Sequence, residues 1–375
     1  MTERGYRPAW AEVDLSAISA NAAALAELAP LCAVVKANAY GHGAPEVARA
    51  ALAGGASWLA VALVEEGVQL RDAGIAAPVL VLAEPTADAM AEAHARDLTP
   101  TLYTEPGVKA AAEAATAPWP VHVKIDTGMH RVGASPADVD AVVGAVTSAA
   151  SLELAGLWTH LAVADEPDQD DYTALQLDRF EAARTRLAAA GVVPPLVHAA
   201  NSAGALAHPL ARYDLIRCGI ALYGHRPSPA VTPVVELRPA MALKARVSHV
   251  RCLDAGERIS YGRRYETRER TVIATVPLGY ADGVTRRLFE AGGQLLVGGR
   301  RCPIAGVVTM DQLMVDCGPD AAVQPGDEVV LLGRQGRESV TAEEWARLLG
   351  TISYEVLCGV GPRVDRRYTG GPAPS

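Results

Sequence analysis

Leu31-Cys32-Ala33-Val34-Val35 is a short apolar run. Lys36-Ala37-Asn38-Ala39-Tyr40-Gly41-His42-Gly43 carries it into Ala44–Ala53, where apolar positions recur at helical spacing. A strand, a glycine-punctuated turn and a helix make one βα unit. Seven further apolar runs continue the pattern: Trp58–Leu63, Pro78–Leu82, Leu98–Leu102, Val121–Ile125, Leu154–Thr159, Leu196–Ala199 and Asp214–Arg217. Helical stretches such as Val64–Ala73, Asp138–Ala149, Asp170–Ala190 and Ala203–Ala207 fall between them. Strands alternating with helices imply parallel βαβ units. Eight of them over about 225 residues fit a TIM-like (β/α)8 barrel better than an open sheet. A doubly wound sheet stays open as the alternative, although no GxGxxG follows the first strand.

The texture changes after residue 236. Val247–Leu253, Thr271–Val276, Gln294–Val297, Val307–Val315 and Glu328–Leu332 read as strands separated by Gly-rich turns. Thr341-x-x-Glu344 opens one helix with a capping box. The expected organisation is an α/β barrel domain over residues 1–236 and a mostly-β domain over residues 237–375. The Gly/Pro-rich tail from Thr369 to Ser375 is expected to fray.

Composition narrows the function. Half of the 375 residues are apolar and 21% are charged, which excludes a disordered or fibrous chain. A net charge of −9 without a Lys/Arg-rich block argues against nucleic acid as a partner. Neither a signal-peptide core nor a membrane-length apolar run is present. Six scattered cysteines without a CxxC pair read as reduced thiols, and nine histidines show no zinc spacing. The expectation is a cytoplasmic protein without a structural metal.

In a barrel, chemistry sits where strands run into βα loops. Those positions hold Lys36, Lys124 with Asp126, His160, Asn201-Ser202, and Arg217 followed by Gly219-Ile220. A lysine rising from an apolar strand near other cations loses proton affinity and becomes a nucleophile toward carbonyls. Position alone favours an exposed Lys36 just past a strand. Asn201-Ser202 reads as a helix cap whose N–H groups bind an anion, or as a cap and nothing more. A buried amine and an anion cradle on one barrel face point to a phosphorylated aldehyde, pyridoxal phosphate, held on Lys36.

The same residues resemble the alanine racemases. Ala33–Gly43 is similar to the cofactor-lysine signature of that family. The likeness continues through Lys124–Arg131, Thr159-His160, Asn201-Ser202, Arg217–Ile220 and Ile259–Gly262. It extends to Gly279–Gly283, Met310-Asp311-Gln312 and Ile352–Glu355. These segments run in order from about residue 12 to 366. The resemblance implies a homodimer that interconverts L- and D-alanine with pyridoxal phosphate and supplies D-alanine for peptidoglycan. Lys36 would serve the D face of the substrate, and Tyr261, from the partner's β domain, the L face. Tyr40, Ser202, Gly219, Ile220 and Tyr354 would contact the phosphate, with His160, Asn201 and Arg217 completing the cofactor site. Arg217 would leave the cofactor's ring nitrogen uncharged and so suppress transamination. Arg131 and the Met310 N–H would hold the substrate carboxylate, Asp311 would line the site, and Tyr280 with Tyr354 would narrow its mouth. Lys124 would carry a carbamate; a plain ion pair with Asp126 is the alternative.

Other readings remain beside this one. A racemase of broader specificity, a decarboxylase on the same barrel and a non-enzymatic cofactor-binding protein share parts of the pattern. Arg217, the Met310-Asp311-Gln312 segment and the full β domain speak against the last two. His42, His198 and His225 are expected in core or surface roles, Asp282 in a turn, and the acidic run Asp165–Asp171 in a solvated loop and helix start.

Overall fold

The computed structural model describes residues 6–371. The chain forms two compact units. One comprises Ser16–Ala39 and Gly43–Pro239; the other comprises the described residues of Met1–Leu15, Tyr40–His42 and Ala240–Ser375. The division therefore differs from a single cut after residue 236. Its reason is the first strand, β1 (Ala9–Asp14), which the sequence pattern does not reveal. It pairs antiparallel with β10 (Met241–Arg246) and parallel with β20 (Asp365–Thr369), so its backbone groups are satisfied in the second unit.

The first unit is built on eight parallel strands. They are β2 (Leu31–Val34), β3 (Ala56–Val61), β4 (Val79–Val81), β5 (Thr99–Leu102), β6 (Trp119–Lys124), β7 (Leu152–Trp158), β8 (Leu196–His198) and β9 (Ile216–Cys218). Their order is β8-β7-β6-β5-β4-β3-β2-β9. Hydrogen bonds cross the remaining gap, among them Asp214 N–H to Val197 O at 3.0 Å and Arg217 N–H to Ala200 O at 3.0 Å. The result is the nearly closed barrel expected from the repeated βα pattern. Strands β2 and β5 are buried at every residue, as parallel strands covered on both faces must be. Helix Val139–Ser148 buries Val139, Val142, Val143 and Val146, one stripe at i, i+3, i+4 and i+7. Helices Leu15–Ala26, Ala87–Ala95 and Glu105–Ala114 were not anticipated. Buried Asn21, on the first of these, donates to Leu222 O (3.0 Å) and Arg238 O (2.9 Å) and accepts from Arg238 N–H (2.8 Å). It thereby locks the 3-10 turn Ile220–Tyr223 behind β9.

The second unit holds the other strands: β11 (His249–Leu253), β12 (Arg258–Ile259), β13 (Tyr265–Glu266), β14 (Thr271–Val276), β15 (Gln294–Val297), β16 (Arg300–Pro303), β17 (Leu313–Asp316), β18 (Glu328–Gln335) and β19 (Glu338–Val340). One sheet runs β16-β15-β18-β10-β1-β20, with β19 on β18; β11-β14-β17 and β12-β13 form two smaller sheets. The expected strand Val247–Leu253 forms as β11 but starts only at His249, because the chain changes sheets after β10 ends at Arg246. The expected strand Val307–Val315 shrinks to Leu313–Asp316. The residues before it form a turn closed by Thr309 N–H on Gln312 O at 2.9 Å. Of the expected capping box one half forms: Glu344 N–H donates to Thr341 Oγ1 at 3.1 Å, while the Glu344 carboxylate accepts from Arg301 at 2.8 Å. Thr369 closes β20, and residues 372–375 lie outside the described residues.

Candidate active site

Lys36 leaves the end of β2 directly into an unusual turn. Ala37, Asn38, Ala39 and Tyr40 have φ of 52°, 51°, 54° and 52°, four left-handed residues in succession without a glycine. Each costs roughly 1–2 kcal/mol. The turn is held by bonds from Ala37 N–H to Glu66 Oε1 (2.6 Å), Ala39 N–H to Val35 O (2.8 Å), Gly43 N–H to Asn38 O (2.9 Å) and Ala44 N–H to Asn38 Oδ1 (2.9 Å). Glu66 Oε2 also accepts from Ala62 and Leu63 N–H, so one carboxylate ties two strand ends together. Strain held this firmly is a mark of a functional position. Glu66 was not among the expected site residues; its only trace in the sequence is its place in the first turn of a helix.

Around the other strand ends positive charge accumulates. Lys124, 1% exposed, lies over the Trp158 ring at 4.6 Å, and the Arg217 guanidinium lies over the same ring at 4.5 Å. Burial, then the charges of Arg131 and Arg217, push the Lys124 amine down to about 7; Asp126 opposes this and Lys36 adds to it. The Asp126 carboxylate accepts from Gly128 and His130 N–H, both at 3.0 Å. Burial and the charges of Arg217, Lys124, Arg131 and Lys36 likewise hold partly buried His160 well below the usual imidazole range. Lys36, Lys124, Arg131, His160 and Arg217 thus share one electrostatic field.

Arg217 is the best-anchored of these groups. It donates to Thr159 O (2.8 Å), Ala199 O (2.9 Å) and His198 Nδ1 (2.7 Å). A guanidinium only donates, so His198 Nδ1 is the acceptor and its proton sits on Nε2. That proton meets His122 Nδ1 at 3.0 Å, which leaves the His122 proton on Nε2. Burial and the Arg217 charge push His122 down to about 3 and His198 well below its ordinary value. The expectation of a core role for His198 holds, and its role there is to seat Arg217.

A second group lies at the ends of β8 and β9. Asn201 caps helix Ser202–Ala207 by accepting from Gly204 N–H at 2.9 Å, as its position predicts. The buried Ser202 hydroxyl accepts from Gly219 N–H (3.0 Å) and Ala221 N–H (3.3 Å), with Ile220 between them. Helix Asp170–Ala189 pins the loops after β6 and β7 with three side chains spaced i, i+4, i+7. Tyr172 bonds Gly128 O (2.8 Å), Gln176 bonds His160 O (3.1 Å) and Arg179 bonds Thr127 O (3.0 Å). The helix is legible in the sequence; this use of its face is not.

In the second unit the expected residues form three clusters. Tyr40 and Tyr354 have ring centroids 6.1 Å apart, tilted by 46°. Tyr280, Met310 and Asp311 stand on two turns zipped together by Tyr280 N–H on Thr309 O (3.0 Å) and Ala281 N–H on Met310 O (3.1 Å). A Cβ on Gly279 would come within 2.3 Å of Thr309 O, so only glycine permits that approach. Asp311 pairs with Arg363 at 2.6 Å. Beneath them Asp282, fully buried, bonds Arg7 at 2.7 Å and caps the turn through Gly279 N–H at 2.9 Å. Its expected turn role is thus anchored by an ion pair. Tyr261 projects from the turn between β12 and β13, 71% exposed, flanked by Ser260 (φ 66°) and Gly262 (φ 71°). Among the described residues no His/Cys/Asp/Glu cluster suits a metal ion, and no helix is long and apolar enough to cross a membrane.

Fold and site together define a barrel enzyme with its ionisable groups at the carboxyl ends of parallel strands. The chain matches the family models "Alanine racemase, N-terminal domain" over residues 13–227 and "Alanine racemase, C-terminal domain" over residues 240–368. It is 52% identical to an alanine racemase of Symbiobacterium thermophilum over an alignment covering 98% of this chain and 99% of that protein. Among solved structures, the alanine racemase of Bacillus anthracis with bound L-Ala-P superposes with a TM-score of 0.92 at 38% identity, covering 98% and 97% of the two chains. A histidine racemase from Leuconostoc mesenteroides superposes with a TM-score of 0.90 at 31% identity, covering 98% and 99%. The chain belongs to the alanine racemase family.

Proposed function

We propose that this chain interconverts L-alanine and D-alanine as a cytoplasmic homodimer, with pyridoxal phosphate as cofactor and peptidoglycan synthesis as the destination of the D-alanine. The observation that carries this reading is the charge balance at the barrel's strand ends. Lys36, Lys124, Arg131 and Arg217 act there together, with Asp126 the opposing carboxylate. That donor set fits an anionic aldehyde cofactor: an amine at the end of β2, and a buried hydroxyl with convergent N–H groups at the ends of β8 and β9.

Lys36 would hold the aldehyde. Ser202, Gly219, Ile220, Tyr40 and Tyr354 would hold the phosphate, with Asn201 and His160 supporting the cradle. Arg217 would meet the ring nitrogen with a donor that keeps its own proton, so the nitrogen stays uncharged. When bound to the substrate amine, the cofactor withdraws electrons and acidifies the Cα proton. The Lys36 amine moves that proton on the D face. The Tyr261 phenol oxygen moves it on the L face of the partner subunit's site. The high exposure of Tyr261 on the single chain supports service to a partner. Arg131 and the Met310 N–H orient the substrate carboxylate, Asp311 lines the site, and Tyr280 and Tyr354 limit the side chain.

Lys124 has a further part. A lysine amine lowered to about 7 is in good part unprotonated at physiological pH and adds CO2: nitrogen bonds to carbon, a proton leaves to solvent, and a carbamate anion faces Arg131. Native mass spectrometry should find one added CO2 that is lost on acidification. An unmodified Lys124 in native protein refutes this assignment.

The decisive experiment is chiral analysis of L-alanine incubated in D2O with cofactor-loaded protein. D-alanine deuterated at Cα is the expected product; exchange without inversion would show that one base is misassigned. The histidine racemase match favours one second reading, a broader specificity on the same chemistry. Inactivity on alanine with activity on a larger amino acid would select it.

A further inference from the structure

The second unit contains a cavity of about 310 Å³ between β13, β14, β16 and the end of β17, lined by none of the residues placed at the candidate active site. Arg268, Glu269, Arg300 and Arg301 form its exposed rim, and Cys302 and Cys317 line it. The strand register places these two cysteines face to face. Ile304 and Val315 form an antiparallel bridge, and Ala305 N–H donates to Met314 O at 2.8 Å. One further pair outward on the same face sets Cys302 opposite Cys317. Residues so opposed in antiparallel strands have Cα atoms about 4.5–5.5 Å apart, inside the disulfide range of about 4.4–6.8 Å.

We propose that Cys302 and Cys317 form a reversible dithiol–disulfide site, oxidised by a small hydroperoxide admitted through this cavity. The Cys302 sulfur attacks the peroxide, the O–O bond breaks, and the departing oxygen takes a proton to leave as water or alcohol. Cys302 is then a sulfenic acid. The Cys317 sulfur attacks the Cys302 sulfur, the S–O bond breaks, and the oxygen leaves as water with the Cys317 proton. Two thiols are oxidised by two electrons and one hydroperoxide is reduced by two.

The order of events follows from the surroundings. The Cys317 thiol beside it and the Arg300 charge favour the Cys302 thiolate, while the neighbouring Cys302 and burial hold Cys317 in the thiol form; the sulfurs also meet the Arg300 and Val315 carbonyl oxygens at 3.7 and 3.9 Å. The Arg300 guanidinium also donates to Cys317 O at 3.2 Å, fixing the cation beside the pair. The barrel cysteines give the contrast. Cys32 and Cys218, on neighbouring strands β2 and β9, are pushed up to about 12 by burial. Cys252 and Cys358 are exposed.

The test uses the cofactor-loaded enzyme carrying Cys252→Ser and Cys358→Ser, treated with hydrogen peroxide. Non-reducing peptide mapping should find Cys302 linked to Cys317, with the intact protein lighter by two hydrogens and restored by dithiothreitol. Adding Cys317→Ser should halt oxidation at a trappable sulfenic acid on Cys302, and adding Cys302→Ser should abolish it. Stable thiols at both positions, oxidation of Cys302 to the sulfinic acid without a link, or a link to another cysteine would overturn the proposal. None of these outcomes depends on racemase activity, so the two readings fail separately.

Discussion

At the barrel's strand ends the functional groups are buried, cationic and held by side chains from several elements. In the second unit they stand on tight turns, mostly exposed, and are positioned by backbone. Arg217 has three hydrogen bonds to fixed acceptors. Tyr261 is aimed by the left-handed residues on either side of it and by Ser260 donating to Val307 O at 2.6 Å. The first arrangement sets proton affinities through burial and neighbouring charge; the second sets direction. Burial with neighbouring charge tunes proton affinity, whereas a side chain on an exposed turn is held in a set direction and left accessible.

The largest effect tests whether the two halves belong to one site. Lys36→Ala and Tyr261→Phe should each lower racemisation by about three orders of magnitude or more. Mixing the two inactive variants through dissociation and reassociation should restore about a quarter of wild-type activity, because half of the dimers are mixed and each has one intact site. If Tyr261 served its own chain, no mixed dimer would hold an intact site and the mixture would stay inactive.

The contrast also explains what the sequence makes legible. A lysine or arginine immediately after an apolar run declares a strand end, so Lys36, Lys124 and Arg217 can be found from the pattern that reveals the barrel. Asn201 declares itself as a cap. No local pattern announces the left-handed turn after Lys36, because alanine and tyrosine ordinarily avoid that conformation and one asparagine among them does not predict four such residues in succession; long-range bonds such as Ala37 N–H to Glu66 impose it. The same is true of β1, whose partners lie more than two hundred residues away in sequence. On the second unit's turns only the resemblance to a family singles out Tyr261, Tyr280, Met310 and Asp311.

The next effect in size concerns how firmly the second unit's turns are built. Asp282 is fully buried between Arg7 and Arg363, and it caps the turn that braces Met310. Burial disfavours its charged form, but the bonds from Arg7 and Gly279 prevail and hold its carboxyl below the ordinary value. Asp282→Asn should cost about 3 kcal/mol, the usual result of stripping one partner from a buried pair. It should raise KM for alanine more than it lowers kcat, because the Met310 turn loosens while Lys36 is untouched. A lower melting temperature with unchanged KM would separate Asp282 from the substrate turn.

Acid should strike the barrel half first. The folded-state value of His122 is depressed to about 3 from an ordinary value near 6.5, so its stabilising contribution is complete above pH 6.5 and is lost as pH falls toward 3. The loss is about 1.4 kcal/mol per pH unit for one such group. His122→Asn, which keeps an acceptor near the Nδ1 position, should remove about one proton from the pH dependence of unfolding between pH 6 and 4. Calorimetric melting across that range measures it. Parallel curves for the variant and the wild type would place the acid sensitivity elsewhere.

The smallest effect isolates direction from burial. Gly262 has φ 71°, and a Cβ there would lie 3.3 Å from Arg264 Cγ, tight but against the movable part of a flexible side chain. Gly262→Ala should therefore cost only about 1 kcal/mol, chiefly from the left-handed backbone. Because the turn carries Tyr261 and no other group assigned to the reaction, kcat from L-alanine should fall several-fold with KM unchanged. Proton exchange measured from D-alanine in D2O should fall much less, since Lys36 serves that face. Equal losses in both directions would mean that the turn acts through global stability, and the separation between a tuning half and a presenting half would fail at Tyr261.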